Sequence, residues 1–263
     1  MPEVVRSGRT VHYSKEGAGP GLVLVPGLGS GAKLFGTLPR RFARAGFTCA
    51  AVDPVGLAPS SSFPDERYDF DEAARDVLAV AGQLPRPVTL VGTSLGGKVA
   101  LRAAGAEPAA VDALVMLCST ALQSARARRV YRMFELLCTE VDGPWFGELV
   151  APFLFGATFL QNRSSVVDDI LRSMRPTAAS RAFMAAQARA LQAWDGSADT
   201  QRCRARTLCL AGAEDTLTPP SEVEATAARI AGADYRAIAE AGHSLLLESA
   251  AAFDQVVQFA KQT

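Results

Sequence analysis

The feature that most constrains the fold is an alternation between short, continuously apolar runs and longer segments whose apolar residues have helical spacing. Continuously apolar strands are typical of a parallel sheet with both faces covered, and the intervening amphipathic segments supply the covering helices. The sequence therefore predicts an α/β fold with a mostly parallel sheet and helices on both faces. The predicted strands are 10–14, 21–25, 47–52, 87–91, 111–117, 207–211 and 235–238, and the predicted helices are 32–45, 70–84, 95–106, 221–230 and 245–261.

The alternation stops between residues 121 and 200, where the sequence is helical in character and rich in large aromatic side chains. Both tryptophans of the chain, Trp145 and Trp194, lie in this segment. A chain of 263 residues is near the upper size that one hydrophobic core supports. We therefore predict one α/β core, formed by residues 1–120 and 201–263, that is interrupted by a helical insertion over residues 121–200.

The charge balance and the cysteine and histidine content limit the classes of partner. Lys plus Arg and Asp plus Glu each number 27, so the net charge of zero argues against a nucleic-acid binder and favours a small-molecule substrate. No apolar run approaches the about 18 residues of a membrane span, and the N-terminus does not resemble a secretory signal. The five scattered cysteines indicate reduced thiols and a cytoplasmic location. With only two histidines, we expect neither a metal site nor a cofactor, and the oligomeric state stays open.

The strongest local signal is the motif Gly-x-Ser-x-Gly at residues 92–96, between a predicted strand and a predicted helix. This context is typical of a nucleophile elbow, which holds a serine in a strained turn at the tip of the sheet. Ser94 is therefore the candidate nucleophile, and the backbone N–H of Leu95 is a candidate oxyanion-hole donor. Gly-rich strand-to-helix turns also occur without a catalytic role, so the motif needs a base and an acid beside it.

His243 is the candidate base, because it follows the last predicted strand and parallel strands end at one rim of the sheet. His12 lies within a predicted strand, where we expect ordinary packing. The orienting acid should follow another strand on the same rim, where the adjacent residues Glu214 and Asp215 both occur. We predict Asp215, which comes directly before the turn toward the next helix, and Glu214 remains the alternative.

A second oxyanion-hole donor is expected in the loop 26–31, and the N–H of Leu28 is the candidate. The same loop has a competing interpretation. Gly27, Gly29 and Ala32 form Gly-x-Gly-x-x-Ala after a strand, and Asp53 ends the next strand, which is a pattern typical of a dinucleotide-binding site. An NAD(P)-dependent oxidoreductase is therefore an alternative function, although it leaves the serine, acid and histidine set unexplained.

Taken in order, these motifs resemble the α/β-hydrolase family, and the resemblance covers essentially the whole chain. The matching segments are 26–29, 53–60, 92–97, 212–219 and 241–244. The order Ser, acid, His along the chain is the one expected for this fold. Two residues depart from the family pattern, namely Pro26 in place of the usual His and Ala58 in place of a frequent second Gly. The first departure affects how the oxyanion loop is braced.

The resemblance implies a serine hydrolase that cleaves a carboxylic ester or lactone of a small, largely apolar molecule through an acyl-enzyme, without a cofactor. Within the family the chain looks like compact esterases, enol-lactonases of the 3-oxoadipate type and C–C bond hydrolases. A thioesterase, an acyltransferase and a non-catalytic ligand receptor use the same fold and stay open. A serine at the elbow argues against epoxide hydrolases and haloalkane dehalogenases, which have Asp there.

In this family a helical insertion at residues 121–200 forms a lid over the nucleophile, and we call these residues the lid segment. We expect its large apolar side chains to form the wall of a substrate pocket. Trp145, Phe146 and Trp194 are the predicted substrate-binding residues. For most other apolar residues of the segment, packing against the sheet domain is the expected role.

Overall fold

The computed structural model describes residues 1–62, 67–141, 143–174 and 176–262, and an eight-stranded sheet forms its centre. In chain order the strands are β1 (Glu3–Arg6), β2 (Arg9–Glu16), β3 (Gly21–Val25), β4 (Thr48–Val52), β5 (Val88–Thr93), β6 (Ala113–Leu117), β7 (Arg206–Gly212) and β8 (Asp234–Ile238). Their spatial order is β1-β2-β4-β3-β5-β6-β7-β8. The strands from β3 to β8 are parallel, while β1 pairs antiparallel with β2 and β2 with β4. The predicted mostly parallel sheet is confirmed.

Burial explains why the central strands could be predicted and the first one could not. Every residue of β3, β4 and β6 is buried, as a strand covered on both faces requires. In β1, exposed and half-buried residues alternate, because this strand lies at the edge of the sheet. Its four residues carry no continuous apolar run, and the sequence did not predict it.

The helices cover both faces of the sheet, as predicted. They are α1 (Leu38–Arg44), α2 (Phe70–Ala81), α3 (Leu95–Ala106), α4 (Ala125–Glu140), α5 (Gly143–Leu154), α6 (Ala157–Asn162), α7 (Ser164–Ser173), α8 (Ala178–Gln192), α9 (Ser197–Arg202), α10 (Pro220–Ala227), α11 (Leu245–Glu248) and α12 (Ala250–Ala260). Apolar residues of α2, α3 and α10 belong to the core cluster on one face of the sheet. Those of α1 and α12 belong to the cluster on the other face.

Two predicted helices are each divided in the structure. The segment 32–45 forms a 3₁₀ turn at Ala32–Phe35 followed by α1, and Gly36 between them has φ of 49°, a conformation that ends a helix. The segment 245–261 is divided at Ser249, whose extended backbone separates α11 from α12 and whose hydroxyl caps α12. In both places the backbone conformation of one residue ends the helix, although the apolar residues continue at helical spacing.

The lid segment contains α4 to α8 and most of α9, and α4 packs along α8. In the described part of this segment the only pairing of β type is an isolated bridge between Leu122 and Asp195. None of the helices in the described ranges combines the length and the apolar character that crossing a bilayer requires. The five cysteines are all buried and carry free thiols.

Candidate active site

Ser94 occupies a strained turn between β5 and α3. Its backbone has φ of 55° and ψ of −117°, a region that residues other than glycine rarely adopt. The turn is possible because Gly92 and Gly96 lack side chains. A Cβ at Gly92 would collide with the backbone of Gly96, and one at Gly96 would collide with the carbonyl oxygens of Val25 and Pro26. The motif at residues 92–96 therefore forms the sharp elbow that its glycines predict.

Hydrogen bonds from the neighbouring strand hold this turn in place. The N–H of Ser94 donates to the carbonyl oxygen of Leu117 at 2.8 Å, and the hydroxyl of Ser119 donates to the carbonyl oxygen of Ser94 at 2.7 Å. The Ser94 side chain stands at the amino end of α3 and lines a cavity beneath the lid segment. The partial positive charge of a helix amino terminus favours an anion at this position.

His243 and Asp215 lie together on the same rim of the sheet. The distance between His243 Nδ1 and Asp215 Oδ2 is 2.8 Å, and both side chains are almost completely buried. The other oxygen of Asp215, Oδ1, accepts the N–H groups of Leu217 and Thr218, each at 2.8 Å. The carboxylate is thereby fixed in one orientation. His243 also lines the cavity that contains Ser94.

Glu214, the alternative acid, has a different role in the structure. Its carboxylate accepts the backbone N–H of Thr158 at 2.8 Å and the Thr158 hydroxyl at 2.5 Å, so it binds the first turn of α6 in the lid segment. These hydrogen bonds lower the pKa of Glu214. Of the two adjacent carboxylates, Asp215 is the one that contacts the histidine.

Glu248 joins the histidine loop to the lid segment, and sequence reasoning missed it. Its carboxylate accepts the N–H groups of Gly242, Ser244 and Gly156 at 2.8, 2.9 and 2.9 Å. Burial raises the pKa of Glu248, although the three N–H groups oppose this shift. A glutamate five residues after a histidine gives no local sign of this role, because Gly156 lies 92 residues away in the chain.

The loop 26–31 lies directly against the serine. A Cβ built at Gly27 would be 3.5 Å from the Cβ of Ser94. The N–H groups of Leu28 and Leu95 donate to no acceptor among the described residues. The Leu28 residue also lines the cavity. Both N–H groups therefore lack a partner within the described part of the protein, and their role as oxyanion donors stays a prediction.

The lid helix α8 braces this loop. Gln187, which is fully buried, accepts the N–H of Gly29 on Oε1 at 2.8 Å. One turn earlier, Met184 packs where a side chain at Gly29 would be, and Gly29 has φ of 69°. A lid residue therefore holds the loop in a chain that has Pro26 where the family usually has His. Sequence reasoning did not identify Gln187, since 158 residues separate it from Gly29.

The contacts of the same loop do not favour the dinucleotide interpretation. Asp53 Oδ1 accepts the N–H of Ala32 at 2.8 Å, so the carboxylate braces the loop from within. A dinucleotide-binding site would use this carboxylate for a ribose hydroxyl. A Cβ at Gly31 would lie 2.5 Å from the same Oδ1 atom. The close approach of Asp53 therefore explains why residue 31 is a glycine.

The cavity beside Ser94 has a volume of about 630 Å³ and a mostly apolar wall. Phe146, one of three predicted substrate-binding residues, is buried and lines it. The other two predicted residues, Trp145 and Trp194, do not line this cavity. Trp145 is 66% exposed, because adjacent residues of a helix point about 100° apart and Phe146 takes the inward direction. Trp194 lies outside this wall, where its ring packs against Phe70 and beneath Arg102.

The thiol of Cys118 lies beside the acid and the histidine. One potential ligand atom from each of Cys118, Asp215 and His243 falls within 4.8 Å of the others. Burial raises the pKa of the Cys118 thiol well above its usual value, which keeps it protonated, whereas metal ligation requires a thiolate. Asp215 and His243 are also bound to each other. This cluster therefore does not fit a resident metal ion.

Comparisons with known proteins agree with this architecture. Residues 20–250 match the family described as alpha/beta hydrolase fold. RutD of Variovorax paradoxus (strain S110), which is named as a carbamate hydrolase, is 28% identical over 249 residues, which are 93% of either chain. The enol-lactonase from Burkholderia xenovorans LB400 aligns with a TM-score of 0.85 and 20% identity, over 99% of this chain and 100% of its own.

A second solved structure supports the same fold. MGS-M2, an α/β hydrolase from a Medee basin deep-sea metagenome library, aligns with a TM-score of 0.90 and 18% identity over 100% of this chain and 98% of its own. Sheet order, elbow and lid position in the present structure are consistent with the family match, which extends over most of the sequence. The chain therefore belongs to the α/β-hydrolase family and is an enzyme of that family.

Proposed function

We propose that this enzyme hydrolyses a carboxylic ester or lactone of a small, largely apolar molecule through an acyl-enzyme on Ser94. The observation that carries the proposal is the convergence of three features on one cavity. Ser94 stands on a strained elbow at the cavity, His243 lines the same cavity, and Asp215 holds Nδ1 of that histidine at 2.8 Å. This is the set of groups that acyl transfer by a serine requires.

In the proposed first step, Ser94 Oγ attacks the carbonyl carbon while His243 Nε2 accepts its proton. Asp215 Oδ2 accepts the Nδ1–H of His243, which leaves Nε2 free as the basic nitrogen. Because Asp215 Oδ1 is occupied by two backbone N–H groups, the carboxylate stays oriented when the imidazole becomes charged. The imidazolium then donates its proton to the departing alkoxide oxygen.

The N–H groups of Leu28 and Leu95 stabilise the oxyanion in this proposal. Leu95 directly follows Ser94 and Leu28 lines the cavity, and no hydrogen bond from either N–H group is found among the described residues. Donors already in place for the developing charge contribute more to the rate than donors that must reorganise. In the second step a water molecule, activated by His243, attacks the acyl carbon, the ester bond to Ser94 breaks and the carboxylic acid is released.

The apolar wall of the cavity supports an apolar acyl group as substrate. Buried wall residues include Phe134, Phe146, Val150 and Leu217, and none of the described wall residues is an aspartate or glutamate. Burial of apolar substrate surface contributes about 25 cal/mol per Å² before the entropy cost of association is subtracted. A charged acyl group would lose its hydration against these buried apolar residues, because Lys33 of the described wall is exposed to solvent.

A fluorophosphonate and a panel of p-nitrophenyl esters, lactones and thioesters test the proposal. We expect one adduct per chain on Ser94 by mass spectrometry, and we expect Ser94→Ala to lose the adduct and to hydrolyse at least about 10³-fold more slowly. Ser180→Ala is the matched control, since Ser180 also lines the cavity but bonds to Thr177, and it should label normally.

The proposal would be contradicted if Ser94→Ala hydrolysed esters at a rate within about tenfold of the unaltered enzyme. A tenfold difference in rate corresponds to about 1.4 kcal/mol in the activation barrier. The relative kcat/KM values of the ester, lactone and thioester substrates identify which bond the enzyme favours.

A further inference from the structure

A buried lysine on the helix after the nucleophile has no part in the chemistry described so far. Lys98 lies on α3, one turn after Ser94, and is 1% exposed. Its Nζ donates to the carbonyl oxygen of Thr120 at 2.6 Å and to the Thr120 hydroxyl oxygen at 2.8 Å. Neither partner is a carboxylate, and burying a lysine without an ion-pair partner is costly. Such a residue calls for a reason beyond packing.

Lys98 keeps enough N–H groups for Thr120 in either protonation state. Burial lowers the pKa of Lys98 to about 7, and the negative charge of Glu222 opposes this shift. The ammonium form has three N–H donors, and the neutral amine has two. Both forms can therefore serve the two oxygens of Thr120 near neutral pH.

Thr120 ends a short segment that holds the elbow from the neighbouring strand. We call residues 117–120, which begin at the last residue of β6, the β6 turn. The carbonyl oxygen of Leu117 accepts the N–H of Ser94 at 2.8 Å, and the Ser119 hydroxyl donates to the carbonyl oxygen of Ser94 at 2.7 Å. Ser119 can come this close because Gly97 has no side chain, since a Cβ there would lie 2.5 Å from the Cβ of Ser119. The β6 turn thus binds both backbone polar groups of the nucleophile.

The β6 turn has an unfavourable backbone conformation of its own. Cys118 has φ of 49°, which costs energy in a residue other than glycine and persists only where neighbouring contacts impose it. The N–H of Cys118 donates to the carbonyl oxygen of Leu210 at 2.8 Å. Two residues later, Thr120 is held by the two short bonds from Lys98 and by a longer bond of 3.3 Å from the Trp194 indole. Contacts at Cys118 and at Thr120 therefore keep the turn in place.

Lys98 and Ser119 join two stretches of backbone into a closed ring. One stretch runs from Ser94 to Lys98 along the first turn of α3, and the other runs from Ser119 to Thr120. The Lys98 bonds to Thr120 close one end of the ring, and the Ser119 bond to Ser94 closes the other. Because the ring has few members, a shift of one backbone group strains the bonds of the others. Loss of the Lys98 amine would open it.

We propose that Lys98 is a positioning residue that fixes the backbone of Ser94 through Thr120 and Ser119. The inference rests on the proposed function, because it concerns the nucleophile of the same reaction. Lys98 lies outside the cavity wall, so it acts by keeping the Ser94 hydroxyl at the place from which attack is productive. A displacement of about 1 Å in a reacting group can cost about 10²-fold in rate.

Lys98→Met tests this inference, because methionine has a similar length and no N–H to donate. The measured quantities are the rate constant of fluorophosphonate labelling at Ser94, kcat and KM on a p-nitrophenyl ester, and hydrogen exchange of the Ser94 N–H. We expect labelling and kcat to fall about tenfold with KM within about threefold, and exchange to become about tenfold faster. Labelling, kcat and exchange all within twofold of the unaltered enzyme would overturn the inference.

Thr120→Val tests the same tie from its other side and decides the question if Lys98→Met does not fold. The substitution keeps the shape of the side chain and removes one of the two oxygens that Lys98 binds. We expect exchange of the Ser94 N–H to become about threefold faster, a smaller effect than in Lys98→Met because the carbonyl bond remains. An unchanged exchange rate would count against the proposal.

Ser119→Ala, alone and combined with Lys98→Met, shows whether Lys98 acts through the ring. The alanine variant lacks the hydroxyl that binds the carbonyl oxygen of Ser94. If both residues act on Ser94 through one ring, the combined loss in labelling rate is smaller than the product of the two separate losses. A combined loss equal to that product would refute the route through Thr120 and Ser119.

Arg102→Met is the matched control on the same helix. Arg102 lies one turn beyond Lys98, and the cationic groups of both lie over the Trp194 ring. Its Nε forms an ion pair with Asp199 at 2.7 Å, so the control should lower the melting temperature while labelling at Ser94 stays within twofold. Equal losses of labelling in Arg102→Met and Lys98→Met would overturn the inference, because reduced stability alone would then explain both.

Hydrogen exchange of the Ser94 N–H separates this inference from the proposed function, because it requires no turnover. Failure of the unaltered enzyme to react with the fluorophosphonate and with every ester would remove the proposed reaction. The exchange rates would still decide whether Lys98 holds the backbone of Ser94, and equal rates in Lys98→Met and the unaltered enzyme would refute that role.

Discussion

Replacing Gln187 with methionine should lower kcat while leaving the fold largely intact. Methionine has nearly the same length as glutamine but has no acceptor for the N–H of Gly29, which Gln187 now binds at 2.8 Å. The Gln187 side chain also interacts with the buried phenol of Tyr68, although its amide nitrogen makes no hydrogen bond of ordinary geometry. Methionine therefore loses little beyond the bond to Gly29, and the free energy of unfolding should fall only modestly.

The expected magnitude follows from the hydrogen bond that is lost. An unpaired buried N–H costs about 1–3 kcal/mol. If the loop shifts to pair this N–H elsewhere, the activation barrier rises by up to the same energy. Because each 1.36 kcal/mol of barrier changes the rate tenfold, the rate falls about 5- to 150-fold. Loss of one complete oxyanion donor, about 10²–10³-fold, is the upper limit. We expect kcat on an activated ester to fall about 10- to 100-fold, with KM changed by less than about threefold.

Three measurements distinguish a positioning role from a merely structural one. Affinity for a trifluoromethyl ketone, which forms a tetrahedral oxyanion on the serine, should fall in parallel with kcat, while the melting temperature changes little. Gln187→Glu keeps a carboxylate acceptor for Gly29 and should restore part of the rate. Gln192→Met is the matched control on the same helix, because Gln192 contacts Glu135 and not the loop.

A fall in melting temperature with kcat and ketone affinity both within twofold of the unaltered enzyme would refute this reasoning. It would mean that the position of the loop 26–31 depends on packing by Met184 and Asp53 and not on the Gln187 hydrogen bond.

Two further predictions concern the carboxylates on the same rim. Asp215→Asn should lower kcat by up to about 10⁴-fold, because its oxygen will stay with the N–H groups of Leu217 and Thr218 and its NH₂ will face His243, which disfavours the Nδ1–H tautomer. Steady-state kinetics should show a change of less than about tenfold for Glu214→Gln, and the reverse order of damage would reassign the acid. Glu248→Gln should lose about 1–3 kcal/mol in free energy of unfolding and also lower kcat. The carboxylate accepts three N–H groups on its two oxygens, whereas an amide has only one oxygen that can accept. Chemical denaturation combined with kinetics checks this, and an unchanged kcat would show that the histidine loop does not depend on Glu248.

The amino-acid sequence by itself determined the features that depend on neighbouring residues. Continuously apolar runs predicted β3 to β7 because a strand buried on both faces has no polar positions. The elbow at residues 92–96 could be predicted because its turn requires glycines at fixed positions beside the serine. The edge strand β1 was missed because it has no continuous apolar run. The breaks at Gly36 and Ser249 were missed because the apolar spacing continues across them, while the backbone conformation of one residue ends the helix.

Only the tertiary structure decided which distant residues meet at the candidate site. Gln187 and Gly29, or Glu248 and Gly156, come together because separate helices and loops pack against each other, and no local pattern encodes such a contact. The direction of a side chain is equally a tertiary property. Trp145 and its neighbour Phe146 have the same apolar character, but helix α5 presents one to solvent and the other to the cavity. The packing of this helix against the rest of the lid segment fixes that choice.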